Sequence, residues 1–144
     1  MTELLALVHA AATWFMTGLI WFVQVVHYPL FGLLDEDHDG GARWPAYSRA
    51  HQARTTMVVG PVMLVELSTT IGLLVLKFGP LTIAGAVLLT LVWASTFFVQ
   101  VPLHARLERG HDPAVVRRLV ATNWARTALW TARGAIALVL LSPA

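Results

Sequence analysis

From Leu4 to Leu34 the chain carries no Asp, Glu, Lys or Arg, and about 20 helical residues are enough to cross the hydrocarbon of a bilayer. That stretch has to be buried, and a chain of 144 residues has little else with which to bury it in water. Composition agrees: 57% of the residues are apolar and only 12% charged, against roughly 25% charged in ordinary soluble domains. Three further stretches have spanning length, so the expected spans are about 4–34, 46–77, 80–106 and 113–141. The second has Glu66 as the one charge in its apolar part, and the fourth contains Arg126 and Arg133. Together they fill most of residues 1–144 and leave no room for a separate soluble domain. The expected fold is all-α, an integral membrane four-helix bundle forming a single transmembrane domain. The first stretch lacks the basic leader and small-residue cleavage site of a signal peptide and is read as a span of the mature protein.

Local signals mark the ends. Pro29 is expected to kink the last turns of the first span. Phe78-Gly79-Pro80 makes a short turn, with Gly79 expected as the residue after the second helix and Pro80 opening the third. His111-Asp112-Pro113 starts the fourth, with Asp112 as N-cap. Arg43, Arg49 and Arg54 follow span one, and Arg106, Arg109, Arg117 and Arg118 surround the loop after span three, while Lys77 alone marks the other side. The positive-inside rule then puts both arginine-rich loops in the cytoplasm and both termini outside it.

No cysteine is present, which excludes disulfides, thiolate metal sites and cysteine nucleophiles. The net charge of +2 is spread among the span ends rather than gathered in a basic arm, so nucleic acid is not an expected partner. The expected partners are the bilayer, a small hydrophobic or aromatic substrate, and a second copy or a membrane subunit.

The halves resemble one another. Phe22-Val23-Gln24-Val25, followed by His27 and Pro29, recurs as Phe98-Val99-Gln100-Val101, followed by Pro102 and His104; Ala53-Arg54-Thr55 recurs as Ala125-Arg126-Thr127, with His51 laid on Asn123. Two spans per copy predict a tandem repeat about a pseudo-twofold axis along the membrane normal.

Spans one and three end where spans two and four begin, which brings His27, His51, His104 and Asn123 to one depth. Gln24 and His27 are three apart and Gln100 and His104 four apart, so each glutamine is expected to orient its imidazole. Asn123, Arg126, Thr127, Trp130 and Arg133 form one polar stripe on the fourth helix. Ionisable groups at bilayer depth are costly and mark function or pairing. His27, His51 and His104 are accordingly read as redox-metal ligands or acid/base groups; the alternative is interfacial histidines bonded to water. Arg54 and Arg126 are read as binding an anionic oxygen or haem propionates, or as snorkelling to the interface. Glu66 and Arg133 are expected to pair. His9, about 27 Å along the helix from His27, cannot join the set, and His38 and His111 are expected in solvated loops. Asp35, Asp37, Asp39 and Gly40 mimic the start of an EF-hand loop, but its twelfth position is Ala46 rather than a bidentate glutamate.

Val101-Pro102-Leu103-His104-Ala105-Arg106-Leu107 with Asn123-Trp124-Ala125-Arg126-Thr127 resembles a family of small four-span membrane proteins that includes the anthrone oxygenases, and His27-Tyr28-Pro29-Leu30-Phe31 is compatible with it. The resemblance implies a four-helix bundle that oxidises a small, hydrophobic, aromatic molecule with dioxygen, and it carries Asn123 and Arg126 over as site positions. The chain departs from the family at His104, where asparagine is usual.

The sequence therefore predicts a membrane-embedded oxidoreductase or oxygenase acting on a small hydrophobic molecule. Its site lies near the cytoplasmic helix ends, with His27, His51, His104, Asn123 and Arg126 as reacting residues and Gln24, Gln100, Arg54 and Arg126 around the cofactor. Copper or iron is the expected metal, bound directly or as haem b held by two histidines; a cofactor-free oxygenase is the variant. The alternatives are a non-enzymatic membrane subunit and a small-molecule binder or transporter in which these polar residues are structural.

Overall fold

The structure is a computed structural model that describes residues 2–32 and 40–142, with backbone alone for 40–42. The acidic loop with Asp35, Asp37, Asp39 and His38 lies outside the described residues. All regular structure described is helical, in four rods: α1 (Thr2–Phe31), α2 (Gly40–Leu76), α3 (Pro80–Leu107) and α4 (Pro113–Leu141). The second rod starts six residues earlier than the expected 46. The helices α1, α2 and α3 are long and apolar enough to cross a membrane; α4 has the length, but its arginines keep it outside that description.

The surface is the reverse of a water-soluble one. Phe98 is 81% exposed, Phe78 77% and Met57 75%, while Glu66, Thr13 and Asn123 are fully buried. Large apolar side chains facing outward in such number need a nonaqueous neighbour. Polar groups turned inward are how membrane helices satisfy them.

Neighbouring rods pack in a ring, α1 on α2, α2 on α3, α3 on α4 and α4 on α1, so α1 faces α3 and α2 faces α4 across the diagonals. An apolar layer of Met16, Ile20, Met63, Leu89, Val92 and Trp130 fills the middle of the ring. A second apolar cluster, including Phe31, Trp44, Leu103 and Leu107, closes the end near the loops.

Helix ends follow the local chemistry. Asp112 Oδ1 accepts from Ala114 N at 2.8 Å and Val115 N at 3.2 Å, satisfying two orphan donors of α4. Asp112→Ala is therefore expected to lower stability by about 0.5–2 kcal/mol, read as a lower unfolding midpoint in detergent. Lys77 Nζ donates to Leu140 O at 3.2 Å and so covers the far end of α4. Gly79 corrects an expectation. It does not end α2 in a left-handed turn; its backbone is extended (φ 177°, ψ 175°) and it is the N-cap of α3. Thr82 Oγ1 accepts from Gly79 N and donates to Lys77 O, both at 3.0 Å, which makes the glycine cap unnecessary.

The prolines leave a larger mark. Val23–His27 in α1 and Thr96–Gln100 in α3 are π-helical, with Tyr28 N donating to Val23 O and Val101 N to Thr96 O, five residues back. Pro29 and Pro102 follow each segment at the same spacing. A proline has no N–H for the carbonyl four residues before it, and a five-residue register passes that obligation to the next amide. Each π segment also rotates the residues that follow it relative to those before.

Candidate functional site

Two polar centres lie inside the ring, one on each diagonal. The first joins α2 to α4: Glu66 pairs with Arg133, as the sequence predicts. Arg133 also donates to Gly85 O and to Thr70 Oγ1, and Thr13 Oγ1 donates to Glu66. His9 belongs here, with its Nδ1 2.9 Å from Thr69 Oγ1. His9, Thr13 and Thr17 are all buried on one face of α1; their spacing of four was the available signal, and threonine hydroxyls bonded to helix carbonyls gave little reason to single them out.

The second centre joins α1 to α3 beyond the apolar layer. His27 Nε2 lies 3.1 Å from His51 Nδ1, with the ring centroids 4.6 Å apart. The rings of His51 and His104 are 5.9 Å apart, and His104 Nε2 is 3.0 Å from the Tyr28 hydroxyl. Three histidines from three helices thus converge, as their depth predicts. Phe31 presents its ring to both His27 and His51, at 5.0 and 5.5 Å, and Tyr47 stacks on His51 at 6.4 Å. Tyr28, 4% exposed, was missed by the sequence reading; its only signal was a phenol between His27 and Pro29 in an otherwise apolar run.

The glutamines correct a second expectation. Neither orients a histidine. Gln24 Oε1 accepts from Asn123 Nδ2 at 2.9 Å while its Nε2 donates to Val120 O at 3.2 Å, and Gln100 Nε2 donates to Thr122 Oγ1 at 3.1 Å. The cause is the π register: α-helical spacing puts i and i+3 or i+4 on one face, but Gln24 and His27 lie within one π segment and Gln100 ends the other. Both glutamines turn to α4.

Arg126 Nη1 donates to Asn123 Oδ1 at 3.1 Å. The residue is 8% exposed and its Nε has no hydrogen-bond partner. Among the described residues Glu66 is the one buried carboxylate, and it is held by Arg133. Among these residues Arg126 is therefore a buried cation without a carboxylate partner, close enough to act electrostatically on Tyr28 and His104. Arg54, which shares the Ala-Arg-Thr sequence with Arg126, is exposed on α2 and makes no hydrogen bond or ion pair with the cluster, because α2 turns that face outward. His111 is half-buried rather than solvated: its Nε2 bonds Phe31 O at 3.0 Å and its ring meets Trp44 at 4.7 Å.

Among the described residues, no set of three His, Asp or Glu side chains is arranged to hold a metal ion. The His27 and His51 nitrogens are 3.1 Å apart, the separation of a hydrogen bond between the two rings; two ligands of one metal ion would stand at a similar separation, about 3.0–3.4 Å for metal–nitrogen bonds of about 2.0–2.1 Å and bond angles of roughly 95–110°. A haem between His27 and His104 does not fit, because the His51 ring stands between them in contact with His27.

Comparison with known proteins finds no match: no family model, no curated protein and no solved structure.

Proposed function

We propose that this chain is a membrane-embedded oxidoreductase, in the manner of an oxygenase, acting on a small hydrophobic molecule, with the His27–His51–His104 cluster and Tyr28 as its reacting centre. The observation that carries the reading is the convergence of three imidazoles from three helices at one end of the bundle, beyond its apolar middle layer. Buried polar groups at bilayer depth are expensive unless they pair or act, and here the nearest uses of the imidazole nitrogens are one another and a phenol.

His27 and His51 are the residues that would hold copper or iron, the metals suited to imidazole with few carboxylates. Two protein ligands leave positions open, and such a metal would supply one-electron chemistry with dioxygen. Arg126, buried without a carboxylate, would take an anionic oxygen of the bound molecule, with Asn123 and Gln24 holding the guanidinium in place. The likeness to the anthrone oxygenases enters in the same sense: Asn123 and Arg126, the positions it carries over, lie in the bonded network beside the histidines.

Four spans, cytoplasmic loops at the histidine end and a tandem repeat belong to the same proposal. The repeat is supported by the ring, in which α1 faces α3 and α2 faces α4 as a twofold along the bundle axis requires, and by a π segment before a proline in both α1 and α3. The exposed Arg54 against the buried Arg126 means that the copies have diverged in chemistry.

The test is metal per chain, by mass spectrometry, on detergent-purified protein washed with chelator and then offered iron(II) or copper(II). The expected result is about one ion per wild-type chain and none in His51→Ala at unchanged helix content. Folded wild-type protein that keeps no metal would remove the metal from the reading and favour a structural subunit or cofactor-free chemistry.

A further inference from the structure

Between the end of α1 and the start of α4 lies a groove of about 450 Å³, within the range of small-molecule sites. Arg117, Val120, Ala121 and Trp124 line it from α4; spaced 0, 3, 4 and 7, they form one helix face. Tyr28 and Gly32 line it from α1. The small Gly32 and Ala121 leave the slot open, and Trp124, 50% exposed, forms a wall at the outer surface of the bundle.

The groove has a polarity. Arg117 stands in the first turns of α4, near the loop end, and the lining becomes wholly apolar over the next seven residues, about 10 Å towards the middle of the bundle. A lipid runs the same way, with a charged head at the interface and a chain pointing inward. Arg117 is exposed, and the neighbouring Arg118 is one residue on and so points off this face. One guanidinium fork matches the two oxygens of a carboxylate.

From this we infer that the groove binds a single-chain fatty acid, its carboxylate on Arg117 and its chain along Val120, Ala121 and Trp124 against Tyr28. Because Tyr28 also bonds His104, a chain in the groove touches the residue that links it to the histidine cluster. That the chain is the molecule oxidised rests on the function proposed above; that it binds does not.

The test reads binding alone. Purified protein is titrated with 9,10-dibromostearate, whose bromines quench nearby tryptophan, and in parallel with its methyl ester and with brominated phosphatidylglycerol. Saturable quenching by the acid is expected, lost in Trp124→Phe, at least tenfold weaker in Arg117→Gln and abolished in Ala121→Trp, which fills the slot. The ester should bind at least tenfold more weakly than the acid. Equal binding of acid and ester, or an unchanged affinity in Arg117→Gln, overturns the inference, as does saturable quenching by the phospholipid alone. Among the described residues Arg117 has no hydrogen-bond or ion-pair partner, so its variant keeps the test decisive should Ala121→Trp fail to fold. Fatty-acid binding that survives in His51→Ala without any oxidation by the wild type would show that the bound chain is not the molecule oxidised and leave the binding inference standing.

Discussion

Glu66→Ala is expected to destabilise the bundle by about 3–5 kcal/mol, the cost of leaving a buried charge uncompensated. Arg133 would keep Gly85 O and Thr70 but lose its only counter-charge, in a position where both side chains are essentially without solvent. The pair also crosses the diagonal between α2 and α4, helices that are not neighbours in the ring, so its loss loosens the ring rather than one contact. Glu66→Leu combined with Arg133→Met is expected to recover most of the loss, since a buried ion pair replaced by apolar groups of similar volume is often neutral. Unfolding midpoints in SDS or on heating in detergent decide it. A Glu66→Ala bundle as stable as wild type, or a double variant worse than the single one, would show that the pair is not what holds this level together.

Trp130→Ala should cost a similar amount, about 3–5 kcal/mol. Trp130 is wholly buried among Met16, Ile20, Met63, Leu89 and Val92, between the two polar centres, and Arg133 lies 5.6 Å over its ring. Its carbonyl accepts from Thr17, but its indole N–H has no partner. Trp130→Phe is therefore expected to be far milder, because it keeps most of the volume and removes an unsatisfied donor. Equal losses for Phe and Ala would mean that the indole nitrogen is bonded in a way this packing does not contain.

Much of this arrangement was legible because the signals were local or forced. Asp112-Pro113 defines a helix start by chemistry alone, and α4 begins and ends at the expected residues. The stripe from Asn123 to Arg133 turned inward because an α-helix without interruption keeps 3.6-residue periodicity, and Glu66 found Arg133 because few charges were available at that depth. The convergence of His27, His51 and His104 followed from span ends alone. What failed was phase. A proline announces a disturbed helix, but not whether the chain kinks or shifts to a π register, and that choice sent Gln24 and Gln100 to α4 instead of the histidines. Which face α2 turns outward likewise depends on packing with α1 and α3, so Arg54 could not be told from Arg126 by their shared Ala-Arg-Thr. Tyr28 and His111 were hidden for a third reason: their contacts are long-range, Tyr28 with His104 and His111 with Phe31 O and Trp44, with no spacing to betray them.

The most direct test of the reacting centre is dioxygen consumption by the purified, metal-loaded protein presented with a lipid extract of the cells that make it. The account expects saturable uptake by wild type, reduced about 10²-fold or more in His51→Ala and in His104→Ala, with both variants retaining wild-type helix content. No uptake by metal-loaded wild type, or undiminished uptake by the folded histidine variants, would contradict it.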